Sequence, residues 1–384
     1  MKLKPSILRE IAAKETPEDS RCSVIKHNYA SADDVLFLED DVQRIILDVP
    51  EEESINSCFD KLITGVPCAI LGLEKEDASG HFLMEDILFV EPQPSLPITL
   101  KLSTGSEWIG FVSGLMFSSD QSQMTTKHQL GLRLLSEFLR HESTYSAKRI
   151  VIVGNSIQYE KHSDKQARFI SRKAQALSVA AMKKFDDWLT SLPLGSGNHP
   201  IQGISVDIVP GEYDCASQLM PQQPIHPNTL PKSRKLAGPT DYLKSVTNPY
   251  YFSFHDRKLL VTSGQFIDNI RLYTKNEDPL TLMECLLQWG HLGPTCPDTL
   301  ATYPFTDKDP LAIFESTDYP AIFVSGNGTG EQPIWRRASL KMGANDGQGA
   351  LLLHIPSFHS SLSMVFVNVH TFECRKVCFD TDNL

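Results

Sequence analysis

Two carboxylates, Glu212 and Asp214, follow Pro210-Gly211 inside the stretch VDIVPGEYDCASQLMPQQPIHPNTLP, residues 206–231. A pair of acidic side chains on a tight glycine turn could hold one cation. On residue types alone the plainer reading is favoured, in which they cap the turn or sit on the surface. Four more turns have the same small, polar, glycine-containing make-up: Ser113-Gly114, Gly154-Asn155, Ser263-Gly264 followed by Gln265, and Gly326-Asn327. Together with Gln158 they offer hydroxyls and amides. None of the 12 histidines lies in these five turns.

Other candidate chemistry is weaker. Eight cysteines (22, 58, 68, 215, 285, 296, 374 and 378) follow no framework spacing, and Cys374 and Cys378 form the one close pair. A structural zinc site needs four ligands, so reduced cysteines packed as small hydrophobes are the better reading. Cys285 and Cys296 have no base and orienting group of the kind a catalytic thiol needs. No Gly-x-Ser-x-Gly elbow occurs. The loop Gly326-Asn327-Gly328-Thr329-Gly330 has neither the lysine nor the helix that a phosphate cradle requires, so it reads as a turn.

The turns are positioned by strands. Apolar runs at 108–112, 149–153, 204–209, 258–262 and 321–324 each end in one of them. Amphipathic spacing predicts helices over 127–139 and 165–192, a further helix is expected at 279–287, and closing strands are expected at 351–355 and 363–369. Strand–helix alternation predicts an α/β layered sheet with the turns on one rim. The helix at 165–192 carries Lys165, Arg168, Arg172, Lys173, Lys183 and Lys184. This reads better as a solvated face than as a DNA track, because Ala174, Leu177, Ala181, Phe185 and Trp188 supply a buried stripe. Proline-rich 221–231 could be an extended docking surface or an ordered cover over the turns, with equal support.

The first hundred residues read differently. A short helix is expected at 6–14, and two short strands within 33–49 flank Glu39-Asp40-Asp41. Strands at 65–72 and 81–90 follow, so a small barrel or sandwich is predicted. Glu51-Glu52-Glu53 reads as solvated loop. Three prolines within 91–97 mark a linker, which gives domains at 1–97 and 98–384.

Composition bounds the rest. The 384 residues are 41% hydrophobic and 22% charged, ordinary for a globular protein, and the net charge is −11. A free-standing nucleic-acid binder usually shows a basic footprint, so DNA contact would need a local patch or a partner's charge. The start, MKLKPSILREIAAKE, has no signal-peptide core, and no apolar run is long enough for a membrane span. A soluble intracellular protein is expected, in which the sequon Asn327-Gly328-Thr329 meets no glycosylation enzyme.

The order of the turns is similar to that of calcineurin-like metallophosphoesterases, which carry Asp-x-His, Gly-Asp-x-x-Asp, Gly-Asn-His-Asp/Glu, a lone His and Gly-His-x-His there. Such residues hold two cations about 3.5–4 Å apart for phosphoryl displacement. This chain departs at nearly every position. Ser113, Asn155, Gln158, Glu212, Asp214, Gln265 and Asn327 occupy the corresponding places, which makes them vestigial.

Longer motifs are more specific. PGEYD and LMPQQPIHPNTLP within 206–231, VTNPY (246–250), TSGQFIDNI (262–270), HLGPTCPDTLATYPF (291–305), LITGVPCAILG with HFLMEDILFVE (62–91) and KPSILREIA (4–12) carry a resemblance to the B (small, accessory) subunits of replicative DNA polymerases alpha, delta and epsilon, on the delta branch. The resemblance covers essentially the whole chain. It implies an α+β and α/β multidomain protein. An oligonucleotide/oligosaccharide-binding (OB) β-barrel would precede a calcineurin-like phosphoesterase domain, a two-sheet αββα sandwich, that is catalytically inactive. It implies a nuclear scaffold with no cofactor and no bound metal. The expected partners are the catalytic subunit's cysteine-rich C-terminal domain, a third subunit that tethers the enzyme to the sliding clamp, and DNA only weakly. The alternative is an active metal-dependent phosphodiesterase or 3′–5′ exonuclease, as in archaeal relatives. Family members carry a longer N-terminal region, so the barrel is expected to lack a strand and expose an edge.

Overall fold

Short, mainly apolar runs become buried parallel strands at the centre of the larger unit: WIGFV is buried throughout, and RIVIV and SVDIV are buried after their first residue. A computed structural model describes residues 28–31, 34–49, 62–75, 80–90, 107–119, 124–141, 147–158, 167–194, 203–238, 242–304, 308–313, 319–338 and 349–381, with the backbone alone at 167–176. The helix expected at 6–14, the acidic run at 51–53, the linker at 91–97 and Lys165 lie outside these residues.

The chain forms two compact units. One gathers Met1–Ser95, Phe266–Tyr319 and Leu340–Gln348; the other gathers Leu96–Gln265, Pro320–Ser339 and Gly349–Leu384.

The first unit contains a four-stranded sheet built from β1 (Leu36–Glu39), β2 (Arg44–Asp48), β3 (Cys68–Glu74) and β4 (His81–Phe89) in the order β1-β2-β4-β3. Its hairpins β1–β2 and β3–β4 are antiparallel, and β2 lies parallel to β4. The two short strands expected around Glu39-Asp40-Asp41 are β1 and β2. Asp40 closes their turn by accepting from the amides of Val42 and Gln43 at 2.8 and 2.7 Å. The unit's later segment includes α5 (Pro279–Trp289), whose N-terminus is capped by Asp278 accepting from Thr281 N at 3.0 Å and whose C-terminus ends on left-handed Gly290.

Among its described residues the second unit has two sheets. The six-stranded sheet runs β15-β14-β5-β6-β7-β8, with β5 (Trp108–Val112), β6 (Arg149–Val153), β7 (Ser205–Val209), β8 (Leu243–Ser245), β14 (Ser363–Asn368) and β15 (Cys374–Cys378). Strands β5 to β8 are mutually parallel, and β14 joins β5 antiparallel. The five-stranded sheet runs β12-β13-β11-β10-β9, from β9 (Tyr250–Phe254), β10 (Arg257–Thr262), β11 (Ile322–Gly328), β12 (Ile334–Arg337) and β13 (Leu351–Pro356). Its three central strands are parallel and its edges antiparallel.

Period-two alternation explains how β5 serves two cores. Ile109 and Phe111 pack with Val151, Val153, Val209, Leu259, Val261 and Val324 between the sheets. Trp108 and Val112 face a second core with Ile150, Ile152, Val206 and Ile208. That core is covered by α1 (Thr126–His141) and α2 (Ala167–Leu189) through Leu132, Leu135, Phe185 and Leu189. Among the described residues the other α-helices are α3 (Pro231–Ala237) and α6 (Phe358–Ser361), with α4 (Gln265–Arg271) belonging to the first unit from Phe266 onward. Among the described residues no helix is long and apolar enough to cross a membrane.

Strands β5 and β6 match their expected bounds, and the observed strands and helices nearest the other expected ranges shift by one to four residues. The strands not foreseen, β8, β9, β12 and β15, are short and lie at or next to sheet edges.

Candidate functional site

Parallel strands deliver their C-terminal ends to one side, so the turns after β5, β6, β7 and β10 meet the end of β11, where Gly326 and Asn327, expected in a turn, lie inside the strand at a register shift. Gly114 N donates to Gly154 O at 3.0 Å, and Gly154 N donates to Val209 O at 3.0 Å. Packing is close enough to demand glycine. A side chain on Gly154, which has φ +72°, would place its Cβ 2.5 Å from Ser263 Cβ and 2.9 Å from Asn327 Nδ2. One on Gly211 would lie 2.2 Å from Asn155 N.

Asn327 is the central tie. Its Nδ2 donates to Val153 O at 3.1 Å and Ser263 O at 2.8 Å, and its backbone N donates to Ser113 Oγ at 3.0 Å. It holds a left-handed conformation, φ 56°, which asparagine tolerates better than most residues. Ser113 Oγ in turn donates toward Pro356 O at 3.0 Å. Asn155 is also left-handed, φ 50°, and its Oδ1 accepts from Tyr213 N at 3.2 Å.

The two acidic residues separate. Asp214 is fully buried; its carboxylate accepts from Gly211 N at 2.8 Å and Ile157 N at 3.1 Å, so it pins the β6 turn to the β7 turn. Burial pushes its pKa up to about 6, against the opposing pull of the backbone amides of Gly211, Ile157, Ser156 and Asn155. Glu212 is exposed, and the partial burial of its carboxyl raises its pKa. The capping role expected on residue types therefore describes Asp214, and the surface role describes Glu212.

Gln265 lies in a network of buried amides. Asn248 Nδ2 lies 2.7 Å from Gln265 Oε1, 2.8 Å from Gln222 Oε1 and 2.7 Å from Ser263 Oγ. Ser263 Oγ donates to Gln265 Oε1 at 2.6 Å, and Ser263 N donates to Asn248 Oδ1 at 3.2 Å. Gln222 Nε2 donates to Gly211 O at 3.1 Å and Ser217 O at 2.9 Å. Gln222 and Asn248, both completely buried, are site residues that the sequence does not single out. Neither sits in a glycine turn, and only the bridge between their backbones, 2.7 and 3.1 Å, brings them there.

Gln158 anchors by its backbone, donating to Phe117 O at 2.9 Å. Its Oε1 is buried without a partner among the described residues, as are Ser156 Oγ and Asn327 Oδ1. The proline-rich excursion packs inward: Met220, Gln222, Ile225 and Leu230 are fully buried, with Gln223, Pro224 and His226 outside. This fits the ordered cover. Most hydroxyls and amides in these turns bond to backbone carbonyls or to one another.

Comparisons with known proteins agree on one family. Residues 109–333 match the family model of the B subunits of DNA polymerases alpha and epsilon, and residues 1–87 match that of the DNA polymerase delta subunit OB-fold domain. The chain is 32% identical over 388 residues to DNA polymerase delta subunit 2 of Drosophila melanogaster, covering 99% of this chain and 80% of that protein. It is 33% identical over 391 residues to the DNA polymerase delta small subunit of Oryza sativa subsp. japonica, covering 99% and 81%. To the DNA polymerase delta small subunit of Saccharomyces cerevisiae it is 28% identical over 416 residues, covering 99% and 77%.

Proposed function

Since the chain belongs to the B-subunit family of DNA polymerases alpha and epsilon, on the branch of the DNA polymerase delta small subunits, we propose that it is a non-catalytic scaffold subunit of DNA polymerase delta. In this reading it bridges the C-terminal domain of the catalytic subunit and a third, clamp-tethering subunit during DNA replication and repair in the nucleus. In the same reading an OB-type barrel at 1–97 precedes an inactivated phosphodiesterase-like domain at 98–384; a change of compact unit after Ser95 supports that boundary, while Phe266–Tyr319 and Leu340–Gln348 group with the first unit.

The observation that carries the non-catalytic part is the amide network. A two-metal phosphodiesterase needs carboxylates and imidazoles converging on the rim to neutralise and hold two cations. In this reading Ser113, Asn155, Gln158, Glu212, Asp214, Gln265 and Asn327 are the vestigial counterparts of those ligands; what supports it is that the amides and hydroxyls bond to one another and to the backbone, and that the buried carboxylate of Asp214 is engaged by backbone amides. The turns keep a shape without the charge that two cations require.

The test is co-purification with the catalytic subunit's C-terminal domain, alongside phosphodiester hydrolysis with manganese. A stable complex and no turnover are expected. Manganese-dependent turnover that follows the chain through chromatography would overturn the scaffold reading in favour of a phosphodiesterase or exonuclease. Single-stranded DNA titrated against the chain alone should bind weakly and lose affinity steeply with salt.

A further inference from the structure

We propose that Glu107, His255 and His370 form a binding site for one divalent transition cation of the zinc class. The three donor atoms belong to the second unit and lie within 4.8 Å of one another. Glu107 Oε2 touches His255 Nε2 and lies 3.7 Å from His370 Nε2. A tetrahedral cation bound at ~2.0–2.2 Å sets neighbouring nitrogen and oxygen donors about 3.3 Å apart, so small side-chain adjustments close the site. Glu107 Oε2 is shielded from solvent, yet neither ring gives it a hydrogen bond of regular geometry. A cation would satisfy the buried oxygen and both ring nitrogens together.

The backbone holds the three ligands in place. Glu107 immediately precedes β5, and its carbonyl accepts from Val369 N at 3.2 Å. His370 lies in the turn 369–371 after β14; its backbone N donates to Asn368 Oδ1 at 3.0 Å, as does that of Thr371 at 3.0 Å. His255 sits in the two-residue turn of the β9–β10 hairpin, where Phe254 pairs with Arg257. His255 and Asp256 have φ 48° and 61°, the positive values that a type I′ turn requires. The Phe254 ring meets the His255 ring edge-on at 4.4 Å. All three positions lie at the ends of β5 and β10 away from the glycine turns, so this site is separate from the rim described above.

Two imidazole nitrogens and one carboxylate oxygen suit zinc, with a fourth position left for water. The side chains of Glu107, His255 and His370 are 29%, 37% and 20% exposed, so ions can enter. Bound there, the cation would clasp the six-stranded sheet, through Glu107 and His370, to the five-stranded sheet, through His255. The scaffold role proposed above does not require this site.

The full chain, stripped with chelator, would be titrated with zinc and with cobalt(II) at neutral pH. One tight equivalent of zinc is expected. The cobalt adduct should show the visible bands of a nitrogen–oxygen site without the near-ultraviolet charge transfer of thiolate ligation, which excludes the cysteines. His255→Asn keeps a residue suited to positive φ in the turn and should fold as wild type without metal. It and His370→Ala should each lower zinc affinity beyond the ~10–100-fold typical of losing only a supporting partner. Zinc should raise the unfolding temperature of the wild type and not of either variant. Absence of a tight equivalent, an unchanged affinity in both variants, or an equivalent lost only with Cys374 and Cys378 would overturn the assignment.

Discussion

The carboxylate of Asp214 accepts a hydrogen bond from the amide of Ile157, 57 positions earlier in the chain, at 3.1 Å. Because the same side chain also accepts from Gly211 N at 2.8 Å, one residue fixes the spacing of two strand-end turns. Asp214→Ala leaves buried donors without an acceptor and is expected to cost roughly 2–5 kcal/mol at pH 7. Urea unfolding followed by tryptophan fluorescence measures this as a lower midpoint at unchanged slope.

Asp214 and His128 should oppose one another in acid. Burial holds Asp214's folded pKa above its ordinary value, at about 6. The stability linked to that group is full below the ordinary carboxylate range and is lost as pH rises through 6. Burial, with a smaller contribution from His359, lowers His128 to about 4 while its ring lies 2.9 Å from Leu115 O. The stability linked to His128 is present above about 6.5 and is lost as pH falls toward 4. At about 1.4 kcal/mol per tenfold change in proton affinity, each effect is roughly 3 kcal/mol, and they nearly cancel between pH 4 and 6. Relative to wild type, His128→Gln should gain stability on acidification over that window and Asp214→Asn should lose it. Unfolding free energies at four or five pH values check the two slopes, and parallel profiles for both variants would contradict the assignment.

Asn327 separates size from charge. Asn327→Ala strands the carbonyls of Val153 and Ser263 and places alanine at φ 56°, so a loss of about 2–4 kcal/mol is expected. Asn327→Asp keeps the shape but turns a carboxylate toward those carbonyl oxygens, and should lower the melting temperature further. Calorimetry of both variants distinguishes the cases.

Arg149 and Asp207 form a partly buried pair, 3.3 Å apart, with Tyr250 donating its hydroxyl to Asp207 at 3.2 Å. The Arg149 guanidinium also lies over the Phe252 ring at 5.5 Å. Asp207→Ala should cost about 3 kcal/mol, because it leaves a cation partly out of water. The double variant Asp207→Leu with Arg149→Met should lose less than Asp207→Ala alone. A double-mutant cycle in denaturant gives the coupling.

Much of the rim could be read from the sequence because its strands carry short apolar runs that end in small polar residues and glycine. RIVIV and WIGFV are too short for buried helices and end in glycine turns, so residue type and punctuation define β6 and β5. YYFSF of β9 alternates between exposed and half-buried positions, and CRKVC of β15 presents its cysteines as a pair rather than as an edge strand. The amide network could not be read, because pairing Gln222 with Asn248 depends on the path of the backbone between them. Lys184 shows the same limit. Its sequence neighbours group it with a solvated basic face, but its Nζ donates to the carbonyls of Ser118 and Ser119, both at 2.9 Å. Glu107, His255 and His370 are far apart in sequence, each in an unremarkable turn or strand margin, and only two sheets packed together bring them near one another.

The return of Phe266–Tyr319 to the first unit has a consequence for synthesis. Tyr29 donates its amide to Leu272 O at 2.7 Å and stacks on the Tyr273 ring at 5.6 Å. A Cβ on Gly65 would fall 1.8 Å from Pro294 O. The N-terminal residues therefore leave the ribosome long before the segment that completes their packing, and most of the second unit is made in between. The unit begun first is finished late, and a nascent chain halted before residue 266 would present those early strands incomplete to chaperones and proteases.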